Sequence, residues 1–266
     1  MTETIMQRFS YVFTIFAADK TNIRQQKNMN VNYFSSLTDN QPKEVVWETV
    51  ATEIRSDKLK DICLRYRALL PEHAAAVASG DKDAQKAVKA KLTALKNQCS
   101  AFMPQVMLDG GRSTTSIRGY RPYMIVDIDH IPPEQFPKVE RMVKDDEHSR
   151  LAYTTISGRG LRVIAQVDRE VDETNFRDAW LSVNEYYKRL TGLDYDRQCS
   201  TNTRMSGLSW DPTAVYRPRA KTIKVEHKEA EKKQRRDKVA GRAKSTTTTP
   251  DAGSSQWWHQ YLTRRW

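Results

Sequence analysis

The chain has 266 residues, 38% hydrophobic and 29% charged, with a formal net charge of +11. That length supports one large or two small domains, and no apolar run approaches the roughly 20 residues that cross a bilayer, so a cytoplasmic protein without a membrane partner is expected. Cys63, Cys99 and Cys199 are widely spaced and the five histidines form no HxH or HExxH pattern, which argues against zinc and leaves oxygen-bound hard cations as candidate metals.

Residues 1–30 read as an N-terminal extension, in which a β-prone stretch, FSYVFTIFA, precedes the polar run DKTNIRQQKNMN. Residues 31–120 read as a mainly helical subdomain. VNYFSSL predicts a short strand and turn. Val45, Val46, Val50 and Ile54 then line one helical face, and Leu59, Ile62, Cys63, Tyr66 and Leu69 repeat the spacing over Asp57–Leu70. An Ala-, Lys- and Leu-rich helix is predicted from Asp81 to Gln98, capped by Ser79 or Asp81. FMPQVMLDGGRSTTSIRGY, rich in Gly and Ser, reads as a connecting or ligand-facing loop.

From Arg121 strands and helices alternate: PYMIVDID, then PEQFPKVERMVKDD, then RLAYTTI and LRVIAQVD joined by SGRG. A long amphipathic helix follows, with Phe176, Trp180, Val183 and Tyr187 on one stripe and Gly192 as its stop, and RMSGLSWDP supplies a further strand. This β-α-β-β-α-β order is the split βαβ arrangement of RRM-like and ferredoxin-like folds. The predicted class is therefore α+β, with an RRM-like core at 121–217. Residues 218–266 read as a basic, low-complexity tail expected to be disordered. From Arg217 onward the chain holds 14 basic against 5 acidic residues, so most of the net charge sits there and the rest is nearly balanced.

Three segments carry residues suited to chemistry. Asp127 and Asp129 alternate with Val126 and Ile128 along a strand, so both carboxylates share one face and repel unless a cation lies between them. A nucleotidyl-transfer site uses such a pair to hold magnesium or manganese; a plain pair of solvated acids before the Pro132-Pro133 turn has the same appearance. In TTISGRGLRV, Gly158 and Gly160 admit a ligand close to the backbone, and Ser157 and Arg159 suit phosphate oxygens, while a tight hairpin turn needs the same glycines. LDYDRQCSTNTRMSGLSWDP offers Asp194 and Asp196 as further acids and Arg204 as a phosphate partner, or else a polar loop whose Asp211 caps a turn.

In combination, the apolar strand ending in DID, SGRGLR on a hairpin, and an acid followed by an arginine and SWDP resemble the archaeo-eukaryotic primase superfamily. With VNYFSSL and CSAFMPQVMLDGGR added, residues 31–217 are most similar to the primase-like domain preceding virulence-associated-protein-E-type helicases in bacterial mobile elements. The resemblance implies an RRM-like catalytic core that makes or extends primers on a single-stranded DNA template from nucleoside triphosphates, with Mg²⁺ or Mn²⁺. Asp127 and Asp129 match the first motif, the metal-binding pair. Ser157, Gly158, Arg159 and Gly160 fall on the second, where many members carry a histidine and this chain has Arg162. Asp196 matches the third-motif acid, with Asp194 its rival, and Arg204 the basic residue after it.

Arg112 and the tail residues Lys232, Lys233, Arg235 and Arg236 are the candidate nucleic-acid contacts, since each phosphate contact releases counterions. Trp257, Trp258, Tyr261 and Trp266 suit base stacking or a protein groove. No GxxxxGK[ST] loop is present, so a separate helicase or replication protein is the expected partner. The leading reading is a primase or primase-polymerase domain serving a mobile element. The alternatives are a catalytically silent relative that binds nucleotide or nucleic acid and recruits a helicase, and a metal-dependent nuclease using the same acids.

Overall fold

A computed structural model describes residues 30–197 and 200–226. Outside the described residues lie FSYVFTIFA, Cys199, the tail cations Lys232, Lys233, Arg235 and Arg236, and the aromatics Trp257, Trp258, Tyr261 and Trp266. The described residues all belong to one compact unit, a mixed α+β arrangement. Among them no helix is long and apolar enough to cross a membrane.

The central sheet is built from β6 (Tyr123–Ile128), β7 (Ser149–Thr154), β8 (Leu161–Gln166) and the short β10 (Val215–Tyr216), in the order β10-β7-β8-β6. Because β8 is antiparallel to both β6 and β7, these two run parallel, joined by the helix α5 (Phe136–Asp145) with β8 between them. That is the expected split βαβ unit. The closing strand differs from expectation: RMSGLSWDP contributes only β9 (Ser206–Gly207) to another sheet, and β10 pairs with β7.

Strand alternation divides the core in two. Met124, Val126 and Ile128 of β6 face α5 and α6 (Phe176–Thr191), burying Val139, Val143, Trp180, Val183 and Tyr187. The amphipathic stripe read from the sequence is thus the buried face of α6, and Gly192 ends the helix at φ 74° with its N–H donated to the Lys188 carbonyl. Tyr123, Ile125, Leu151, Tyr153 and Ile164 face the other way, against α1 (Trp47–Arg55) and α2 (Lys60–Ala68). Trp47 meets Phe102 and Tyr123 edge-on at 5.9 and 5.1 Å, and the Arg150 guanidinium lies 5.3 Å from the Trp47 ring centre and 5.0 Å from that of Tyr123.

The N-terminal layer holds more β-structure than the mainly helical subdomain expected. β1 (Asn30–Phe34) pairs with β2 (Lys43–Val46) and with β3 (Ala101–Met103), and β9 completes this second sheet in the order β2-β1-β3-β9. A two-stranded ribbon joins β4 (Val106–Leu108) to β5 (Ile117–Tyr120). The stretch expected as one helix over Asp57–Leu70 is a short 3-10 turn followed by α2, after which α3 (Leu70–Ser79) starts with proline in its first turn. The helix α4 (Lys82–Asn97) is capped as expected, the Asp81 carboxylate accepting from the N–H groups of Asp83 and Ala84. A core boundary at 217 falls too early: Ile223 and Val225 are buried in the α5–α6 core, and Ile223 makes a parallel bridge with Val167.

Candidate functional site

Residue 127 sits where β6 is about to end, directly across the ladder from Arg162 of β8. Side chains opposite each other in a pair share a face, and the Arg162 Nη2 donates to Asp127 Oδ2 at 2.6 Å, with the two side chains 12% and 3% exposed. The other arm of the fork, Nη1, donates to Ser206 Oγ at 3.2 Å. Ser206 lies 2.9 Å from the Tyr153 hydroxyl, which also donates to the Gly207 carbonyl. Tyr153 is fully buried, and that burial pushes its phenol up to about 12, so it stays protonated as a fixed brace.

Asp129 follows the strand on the same face, as the alternation predicts, and opens to the same crevice of about 400 Å³. Water reaches Asp129, yet the surrounding walls partly desolvate it; that desolvation first, and the Asp127 charge next, raise its carboxyl above the ordinary aspartate range. His130 then turns the chain with φ 57°, a left-handed conformation uncommon outside glycine, and the next N–H, of Ile131, donates to the Arg159 carbonyl at 3.1 Å. This bond ties the DID segment to the glycine hairpin.

The hairpin Thr155–Gly160 closes with Thr155 N–H donating to Gly160 O and Gly158 N–H to Thr155 O, both at 2.9 Å. Gly158 has φ 70°. Gly160 is required by crowding: an added Cβ would meet Asp129 Oδ1 at 2.8 Å and the Ile128 carbonyl oxygen at 2.9 Å. Gly160→Ala is therefore expected to cost about 1–3 kcal/mol and to push Asp129 out of place; chemical denaturation checks this, and an unchanged midpoint would show that the hairpin relaxes freely. The expected tight turn is met in this loop, and the close approach that Gly160 allows is to Asp129 of the same chain.

The sequence-predicted residues Asp127, Asp129, Ser157, Arg159, Arg162 and Arg204 all line this crevice. Other lining residues have no counterpart among them: Tyr66 of α2, His73 of α3 and Lys96 of α4 line the crevice from the N-terminal layer, joined by His130. Arg67 braces the hairpin from beneath, its Nε donating to the Ile156 carbonyl at 3.1 Å. Only His130, adjacent to DID, carries a local signal; the others depend on how distant helices pack.

A second lobe of about 420 Å³ shares Lys96, Arg162 and Arg204 with the first and adds Arg112, Thr201 and Thr203. Its lining holds four cations and no carboxylate. Arg112 is fixed there by donating to the carbonyls of Leu37 at 2.8 Å and Asp39 at 3.3 Å.

The third acid is not brought to the pair. Asp194 is 81% exposed and ion-paired with Lys188 of α6 at 2.5 Å, on the helical side of the sheet. Asp196 donates its backbone N–H to the Asp127 carbonyl at 3.3 Å, which lays its segment along the open edge of β6, but it does not line the crevice. Among the described residues no three of His, Cys, Asp and Glu gather to hold a metal ion.

Residues 94–216 match the family model described as BT4734-like, N-terminal domain. This span runs from the end of α4 to β10 and contains both carboxylates, the glycine hairpin, Arg162 and Arg204. No curated protein and no solved structure matches the chain.

Proposed function

We propose that the crevice is a primase-type nucleotidyl-transfer site, which joins nucleoside triphosphates into a primer on a single-stranded DNA template in the replication of a mobile element. The observation that carries this reading is the convergence of Asp127, Asp129, Ser157, Arg159, Arg162 and Arg204, from three separate chain segments, on one crevice. Two carboxylates and several cations around one space match a triphosphate and its counter-ion better than either alone. The residues fit Mg²⁺ or Mn²⁺: magnesium is commonly held by one or two carboxylates plus substrate phosphates, and Asp127 and Asp129 stand on one face of the crevice, where two like charges favour a cation between them.

Asp127 and Asp129 would hold the cation, which supplies activation of the attacking 3′-hydroxyl and charge stabilisation on the phosphates. The chain's own contribution is positional and electrostatic. Arg159, Arg162, Arg204 and Lys96 balance the triphosphate, and the Ser157 hydroxyl lies at the hairpin where phosphate oxygens approach. The acid-free second lobe, with Arg112, gives the strand backbone a place beside the reacting end. A separate helicase or replication protein would supply the unwinding.

The Asp127–Arg162 ion pair and the missing third carboxylate favour a second reading, a nucleotide-binding relative that does not polymerise and instead recruits a replication protein. Incubation of the full chain with labelled triphosphates, single-stranded DNA and Mg²⁺ or Mn²⁺ separates them. Template-dependent incorporation supports the transfer site; triphosphate binding without incorporation supports the silent binder. Absence of both defeats the two together.

The basic tail adds strand affinity in this reading. Removing residues 227–266, which spares the packed segment ending at Glu226, should flatten the salt dependence of oligonucleotide binding by about 0.7 in log–log slope for each phosphate that the tail neutralises. An identical slope would make the tail a bystander.

A further inference from the structure

Arg162 stands where the crevice needs positive charge before any ligand arrives. One arm is anchored on Ser206, itself braced by the buried Tyr153, and the other lies 2.6 Å from Asp127 Oδ2. A guanidinium keeps its proton under all ordinary conditions, so it cannot yield to a metal by deprotonating, as an imidazole would. A dication reaching Asp127 therefore meets a fixed positive charge at contact distance. A triphosphate entering the same crevice offers Arg162 stronger, multiple anionic acceptors.

We propose that Arg162 is a positioning residue acting as a stand-in cation: it occupies Asp127 in the ligand-free protein, and the incoming triphosphate draws that arm away and exposes the carboxylate pair to the divalent metal. Ser206 keeps the second arm tethered, so the guanidinium pivots over a short distance instead of leaving the site. Metal and triphosphate then bind as a coupled pair, each strengthening the other, as linkage requires. A resting site with lowered affinity for free metal follows from this chain's arginine at position 162. The proposal rests on the reading of the crevice as a metal–triphosphate site.

The test measures each ligand alone on the full chain. Mn²⁺ is titrated without phosphate, the free ion being followed by its paramagnetic resonance signal, and inorganic tripolyphosphate is titrated with chelator present. Arg162→Gln is expected to tighten Mn²⁺ binding about tenfold while weakening tripolyphosphate binding about tenfold or more, and Arg162→Lys should keep Mn²⁺ binding near the wild-type value. A merely structural role would weaken both ligands together. If Arg162→Gln folds normally and its Mn²⁺ affinity is unchanged or lower, the stand-in role is overturned. Asp127→Asn separates the two layers: loss of Mn²⁺ binding in that variant without a gain in Arg162→Gln defeats the stand-in alone. Mn²⁺ binding indifferent to Asp127 in both backgrounds defeats the metal reading beneath it.

Discussion

Asp127→Asn is expected to lower metal-dependent nucleotide incorporation by about a thousandfold or more while costing only about 1–3 kcal/mol of stability through the weakened pair with Arg162. The two effects separate because asparagine keeps the shape and a carbonyl acceptor for Arg162 but loses the charge that a hard cation requires. Asp127 is the less exposed of the two carboxylates, at 3%, and its backbone is fixed on both sides, by the β8 ladder and by the Asp196 N–H. Neither anchor involves the carboxylate. Incorporation and circular dichroism measured on the same preparation check the prediction: retained synthesis would remove Asp127 from the metal site, and lost synthesis with lost structure would assign it a folding role.

Asp211→Ala should cost about 3–5 kcal/mol of stability, because it removes one of the two carboxylates paired with a buried cation and leaves backbone donors without their acceptor. The Lys144 side chain of α5 is 9% exposed and donates to Asp211 Oδ2 at 2.8 Å, to Glu140 Oε1 at 2.8 Å and to Thr213 Oγ1 at 2.7 Å. Asp211 also accepts from the Thr154 N–H at 2.8 Å and from the Thr213 N–H at 2.9 Å, and its own N–H donates to the Ile54 carbonyl. The Asp211 carboxylate thus joins the SWDP turn, the end of β7 and α5, and its backbone N–H adds α1. Burial alone would raise its pKa, but the Lys144 hydrogen bond and the Thr154 N–H outweigh burial and hold it below the ordinary aspartate value.

The sign of the pH dependence follows. A carboxyl whose folded pKa is depressed contributes stability that is fully present above its unfolded value, about 3.9, and that is lost as pH falls through the folded pKa. The stability gap between wild type and Asp211→Ala should therefore be widest near neutral pH and shrink below about pH 4. Urea unfolding of both proteins across that range decides it, and a gap independent of pH would show that the network acts by packing and not by charge.

What is legible in the sequence is governed by short-range rules. The alternation in YMIVDID places Asp127 and Asp129 on one face, opposite Val126 and Ile128, and the structure sends the two sets to the crevice and the helical core respectively. The Asp81 cap and the Gly192 stop are where local chemistry puts them. Long-range pairing is not legible: β1 meets β3 through the register Asn32 to Met103, a contact no local window contains, so the second sheet reads as part of a helical subdomain. The same limit hides Tyr66, His73 and Lys96, which reach the crevice only because three helices fold over it. One missed feature does carry a signal. In KTIKVE, Ile223 and Val225 alternate with polar residues at strand spacing, and both are buried, although the surrounding charge reads as tail.

Asp196 shows why a linear motif order is not a site. Its N–H reaches the Asp127 carbonyl, so the segment is a neighbour in space, yet a bond to the backbone at a strand edge lies in the plane of the sheet, whereas the Asp127 side chain stands out of it. Proximity along the chain of motifs does not decide which way the third carboxylate points.

The most direct measurement is anomalous diffraction from crystals grown with Mn²⁺ and a non-hydrolysable nucleoside triphosphate. The account predicts a manganese peak in contact with carboxylate oxygens of both Asp127 and Asp129, with the phosphates against Arg159 and Arg204 and Arg162 turned from Asp127 toward them. A triphosphate bound elsewhere, or a crevice in which Arg162 still grips Asp127 and no manganese touches the pair, would contradict it.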